Sequence, residues 1–185
     1  MDVTKGVRAL IDKSILGIAG EFAVATELCR RNLYTQLTLG NQKRVDLLTV
    51  SREGKFLRIE VKAKQTPTWS NIKGLSAADA FLVFVDFAGK KETERPEFFV
   101  LSAADWRFLA TEHIEQYRLK HPDRNPYLDA ENCPVFPEEL DVRGKPYRGC
   151  TVKIAAIESH REAWQKILDA CAQIPDAVVK ENGDE

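Results

Sequence analysis

Val45-Asp46-Leu47-Leu48-Thr49-Val50-Ser51-Arg52-Glu53-Gly54-Lys55-Phe56-Leu57-Arg58-Ile59-Glu60-Val61-Lys62-Ala63-Lys64 is the stretch on which the fold turns. It reads as two extended runs, Val45 to Val50 and Phe56 to Lys64, around a polar segment with one glycine, the pattern of a β-hairpin. With the turn centred near Glu53, the simplest antiparallel register pairs Val50 with Phe56, Leu48 with Arg58, and Asp46 with Glu60. Directly opposed residues have Cβ atoms only about 4.5–5.5 Å apart. Two carboxylates so placed repel unless a cation sits between them. Period-two alternation puts Lys62 on the face of Glu60 and turns Ile59 and Val61 towards the core. Such a set suits a hard cation such as Mg²⁺, which binds through one or two carboxylates together with substrate phosphate. The chemistry it fits is phosphodiester hydrolysis, where the metal activates a water and polarises a phosphoryl oxygen. A neighbouring lysine then orients the water or stabilises charge growing on phosphorus.

Working outward, Ile15, Ile18, Phe22, Ala25, Leu28 and Cys29 recur at helical spacing, predicting a helix over Ser14–Asn32. Its end carries Arg30 and Arg31, which suit the negative pole. Tyr34 to Leu39 reads as a further extended run. Thr66-Pro67-Thr68-Trp69-Ser70 reads as a loop with Trp69 packed under it. Ala80 to Phe87 reads as a strand buried on both faces. Glu97 to Leu101 is another strand, followed by a helix capped by Ser102 with Asp105 three residues on. That helix carries Trp106, Leu109, Ile114 and Tyr117 and ends before Pro122. From Pro122 to Gly149, five prolines and no clear periodicity predict an irregular excursion. Thr151 to Ile157 reads as a last strand, and Ser159-His160-Arg161-Glu162 as a capping box opening a helix with Trp164, Ile167, Leu168 and Cys171. The expectation is one α/β domain over residues 1–175, a central mixed sheet flanked by helices, with residues 176–185 a frayed tail.

The 185 residues are 44% hydrophobic and 30% charged, with a net charge of -1. That balance neither requires nor excludes a nucleic-acid partner, because local charge and not the total sets phosphate binding. No apolar run approaches the roughly 20 residues of a membrane span, and the N-terminal stretch lacks a signal-peptide pattern. Cys29, Cys133, Cys150 and Cys171 are scattered, with no zinc or redox spacing, and the expected setting is cytoplasmic and reduced. Cys29 and Cys171 fall in helical patterns and are expected to be small buried hydrophobes. His113, His121 and His160 are separated and carry no ligand role. No serine, cysteine or histidine constellation suggests covalent catalysis.

Asp46, thirteen intervening residues, then Glu60-Val61-Lys62 on a strand resembles the core signature of the PD-(D/E)XK nuclease superfamily. The resemblance implies a restriction-endonuclease-like core. It implies that Asp46 and Glu60 hold Mg²⁺, with Mn²⁺ as substitute, and that Lys62 assists the attacking water. Gly20-Glu21, within Gly17-Ile18-Ala19-Gly20-Glu21-Phe22, matches the helix glutamate that many members add, and looks especially like the Holliday-junction-resolvase branch. Glu21 would then be a third metal ligand. Val45 stands where the naming proline would be. The implied function is a metal-dependent DNA endonuclease. Its rival is a catalytically silent module of the same fold that binds nucleic acid or a protein partner. A homodimer is the assembly expected where two strands are cut. Lys43, Arg44, Lys64 and Lys73 surround the hairpin as candidate phosphate contacts, and Gln65 as a candidate substrate contact. Against all of this stands the plain alternative of a solvent-facing ion-pair cluster of little energetic value.

Overall fold

The computed structural model describes residues 10–38, 45–51 and 54–172. Lys43, Arg44, the residues at the hairpin tip (52 and 53) and the 176–185 tail lie outside those residues.

Helix α1 spans Lys13–Arg30, where Asp12 caps the first turn by accepting from the Ser14 and Ile15 N–H groups. Strands β1 (Tyr34–Leu37), β2 (Leu47–Val50) and β3 (Phe56–Lys64) follow. The hairpin takes the expected register, with Val50 opposite Phe56 and Leu48 opposite Arg58. Next come β4 (Thr68–Ile72), β5 (Ala80–Asp86), β6 (Glu97–Ser102) and α2 (Ala103–Lys120). The central sheet has five strands in the order β1-β2-β3-β5-β6, and β3 runs parallel to β5 while the other neighbours are antiparallel. Mixed α/β architecture is therefore the observed one.

Two cores lie on the two faces of this sheet. On one, Ile59, Val61, Val83 and Val85 pack with Val24 and Leu28 of α1. On the other, Leu82, Phe84, Phe99 and Leu101 pack with Trp106 of α2 and with Trp69. All of β5 is buried, as its unbroken apolar run requires. Ser102 and Asp105 form the expected reciprocal cap on α2.

Five expectations are corrected. The Thr66–Ser70 loop runs into strand β4, which pairs with β10 (Cys150–Lys153) and buries Trp69. The 122–149 excursion is built, because β7 (Tyr127–Leu128), β8 (Pro134–Leu140) and β9 (Pro146–Arg148) form a small antiparallel sheet. The last strand ends at Lys153, and Ile154–Ile157 is a short helix, α3. Ser159 caps nothing: Glu158–His160 is a single 3-10 turn, Arg161 bridges to Phe99, and the Glu162 N–H donates to the Phe98 carbonyl. That tether to β6 holds the backbone non-helical, so α4 starts only at Gln165 and ends at Ala172. Cys29, expected in the core, faces solvent, whereas Cys133, Cys150 and Cys171 are buried.

Candidate active site

The hairpin ladder ends where Asp46 begins. The Asp46 N–H still donates to the Ile59 carbonyl at 2.9 Å. One step on, its side chain takes over from the backbone: Oδ2 accepts from the Val61 N–H at 2.6 Å. The carboxylate thus lies alongside the β3 backbone at the point where β2 parts from it. Glu60 projects onto the face of Leu82 and Phe84 and is only 6% exposed. Its Oε1 receives the Lys62 Nζ at 2.7 Å. Its Oε2 is buried with no hydrogen-bond partner. A buried polar group left without a partner costs about 1–3 kcal/mol, more when charged. Lys62, whose side chain is 32% exposed, stands between Glu60 and solvent.

Helix α1 approaches from the other face. A Cβ on Gly20 would come within 2.8 Å of the Ala63 Cβ and 3.4 Å of Val61 Cγ1, so only glycine lets the helix lie this close to β3. The next residue, Glu21, is half-buried. Its pKa is raised, first by desolvation and then by the negative charge of Asp46, while Lys62 pulls it the opposite way. Glu21, Asp46 and Lys62 are therefore electrostatic neighbours, whereas the Glu60 side chain has Lys62 as its partner on the opposite face of the sheet.

Among the described residues no three His, Cys, Asp or Glu side chains converge on one point as a ready metal cage. Mg²⁺ does not need one, since one or two carboxylates suffice when substrate phosphate and waters complete the octahedron. The unpartnered Glu60 oxygen and the all-oxygen donor set fit such an ion. Asp46 and Glu60 would hold it, with Glu21 near enough to feel the same charge.

The outlying candidates fare differently. Lys64 is not a surface phosphate contact: it is 4% exposed, its Nζ pairs with Asp86 Oδ2 at 2.5 Å, and the ammonium lies 4.3 Å over the Trp69 ring. Its charge is committed inside the fold. Gln65 is likewise occupied, because its amide donates to the Ile11 carbonyl and accepts from the Ile11 N–H, at 2.7 and 3.0 Å. Lys73 is exposed just past β4. Trp69 packs edge-on against Phe84 and Phe99, inside the fold as expected. One strong electrostatic feature is absent from the sequence reading. Arg95 hydrogen bonding, with help from Arg31, holds the buried Glu27 carboxylate at a pKa of about 2, and Arg95 also pairs with Glu162. The network ties α1 to the loop before β6 and to the segment before α4, and serves the scaffold. Only the helical position of Glu27, on the buried side of α1, hints at it in the sequence.

No protein-family model matches the chain, and no curated protein matches it. Among solved structures, a bacterial homing endonuclease, I-Ssp6803I, is similar over 88% of this chain and 98% of its own, at 15% identity and a TM-score of 0.47. That likeness is too loose for the endonuclease's properties to carry over.

Proposed function

We propose that this chain is a metal-dependent DNA endonuclease of the PD-(D/E)XK kind, cutting phosphodiester bonds with water. The observation that carries the proposal is Glu60: a buried carboxylate with one oxygen on Lys62 and the other without a donor, beside Asp46. A bound Mg²⁺ would supply an activated water and a Lewis acid for the phosphoryl oxygen. Glu60 and Asp46 would hold the ion, and the bond from the Val61 N–H fixes the Asp46 carboxylate. Lys62 sits at the solvent edge, where a phosphate arrives, and its ammonium stabilises charge on the phosphoryl group. Glu21 would add negative charge from the α1 side, and a bound cation would oppose the desolvation and the Asp46 charge that raise its pKa. The proposed setting is cytoplasmic, and no helix among the described residues is long and apolar enough to cross a membrane.

The Glu60–Lys62 ion pair, together with the lack of a three-ligand cluster among the described residues, favours a second reading: a silent module that binds nucleic acid without cutting. Incubation of supercoiled and linear DNA with Mn²⁺, Ca²⁺ or EDTA separates the two. Cutting in Mn²⁺ that stops in EDTA, with binding but no cutting in Ca²⁺, is the expected result. Binding with no cutting in Mn²⁺ selects the silent module, and cutting that persists in EDTA overturns the metal mechanism.

A further inference from the structure

A cavity of ≈ 540 Å³ opens beside Lys62, between the start of α1, the end of β3 and strand β4. We infer that this cavity receives a nucleotide drawn out of the helical stack next to the phosphate at Lys62, so that the preferred substrate carries an unpaired nucleotide there. The inference rests on the nuclease reading for its substrate and deepens it.

Charge is the first argument. The charged side chains lining the cavity are Lys13, Lys62 and Lys64, with no carboxylate among the lining residues. Lys62 is paired with Glu60 and the buried Lys64 with Asp86, so Lys13 at the rim is the exposed cation of this lining. Size and wall chemistry supply the second argument. The volume far exceeds that of a lone phosphate and lies in the range of small-molecule and cofactor sites. Apolar walls from Leu16 and Ile72 suit the faces of a base, and the hydroxyls of Thr66 and Ser70 suit its polar edge. Trp69, part of the wall, has its indole N–H buried without an acceptor. Continuity is the third. Lys62 belongs both to the cavity and to the acid–lysine set, so a strand whose phosphate meets Lys62 has its neighbouring nucleoside at the mouth. A paired base points away into the duplex. Bringing it in costs unstacking and unpairing, and that cost is smallest where the nucleotide is already unpaired.

The test is equilibrium binding in EDTA, so that it does not depend on cleavage. The probes are one oligonucleotide sequence with 2-aminopurine as a single-nucleotide bulge or in a fully matched duplex. The proteins are wild type, Lys13→Glu and Ser70→Glu, both changed at exposed positions. An acid at the first residue of a helix is favourable in itself, so Lys13→Glu is expected to fold. Wild type should bind the bulged probe about tenfold or more tightly than the duplex, with a change in 2-aminopurine fluorescence. Both variants should bring that ratio close to one and leave duplex affinity within about threefold at physiological salt. A wild-type ratio near one, or a ratio kept by both variants, overturns the inference. If wild type cuts matched and bulged DNA equally in Mn²⁺ and shows no binding preference, the cavity assignment falls and the nuclease stands. A clear bulge preference without cutting in Mn²⁺ leaves the cavity assignment standing and removes the nuclease.

Discussion

Glu60 has unlike surroundings at its two carboxylate oxygens, a lysine at one and no donor at the other. Asp46 differs, because one of its oxygens is held by the Val61 N–H. Asparagine can keep that bond through its own carbonyl oxygen, so Asp46→Asn should leave the melting temperature of the metal-free protein within about 2 °C of wild type. The same change removes a negative neighbour of Glu21, and Glu21 should then titrate at lower pH. The sign is fixed by its raised folded pKa. The native state binds the Glu21 proton more tightly than the unfolded chain, so this group's contribution to stability falls as pH rises from the ordinary glutamate value to the folded one. Carboxyl NMR titration of both proteins checks it, and an unmoved Glu21 would show that Asp46 is not its neighbour. The β2–β3 register from Leu47 to Val50 was legible because a hairpin makes sequence distance into spatial register, although the ladder stops one pair short of Asp46 and Glu60. Lys64 was misread because its partner, Asp86, lies on another strand. A lone acid closing an apolar run was the only sign of it.

Helix α1 and strand β3 meet at Gly20, and the acid of the site follows at once. Alanine is the better helix former by about 1 kcal/mol, yet its Cβ would press on Ala63 at 2.8 Å. Gly20→Ala should therefore destabilise the fold by about 1–3 kcal/mol, and Ala63→Gly in the same chain should restore most of it. Urea unfolding of the single and double variants measures this. A single variant as stable as wild type would mean that the helix does not lie tight on β3. Elements with local signals were readable: the period of α1, the β2–β3 hairpin, the buried run of β5 and the cap of α2. Strand β4 was not, because Pro67, Ser70 and Asn71 have turn chemistry and its partner β10 lies about 80 residues on. The box at Ser159 failed for a like reason, since hydrogen bonds to β6 decide that backbone.

At the scale of the molecule, one mixed sheet carries a core on each face, and β3 runs through its middle. Such a strand is expected to be apolar, yet it holds Glu60, Lys62 and Lys64 on one face. Lys64 is balanced within the fold by Asp86, whereas the Glu60–Lys62 pair leaves one carboxylate oxygen unbalanced. On the proposed function, that oxygen would ligate a divalent cation, and Glu60 and Lys62 would have separate roles. The most direct test is Mn²⁺ calorimetry beside single-turnover DNA cleavage for wild type, Glu60→Gln and Lys62→Ala. Glu60→Gln should lose Mn²⁺ binding and cleavage together. Lys62→Ala should bind Mn²⁺ as well as wild type or better, since a competing charge has gone. It should nevertheless cleave on the order of a hundredfold more slowly. A Glu60→Gln protein that still binds Mn²⁺ and cuts, or a Lys62→Ala protein that cuts like wild type, would contradict the account.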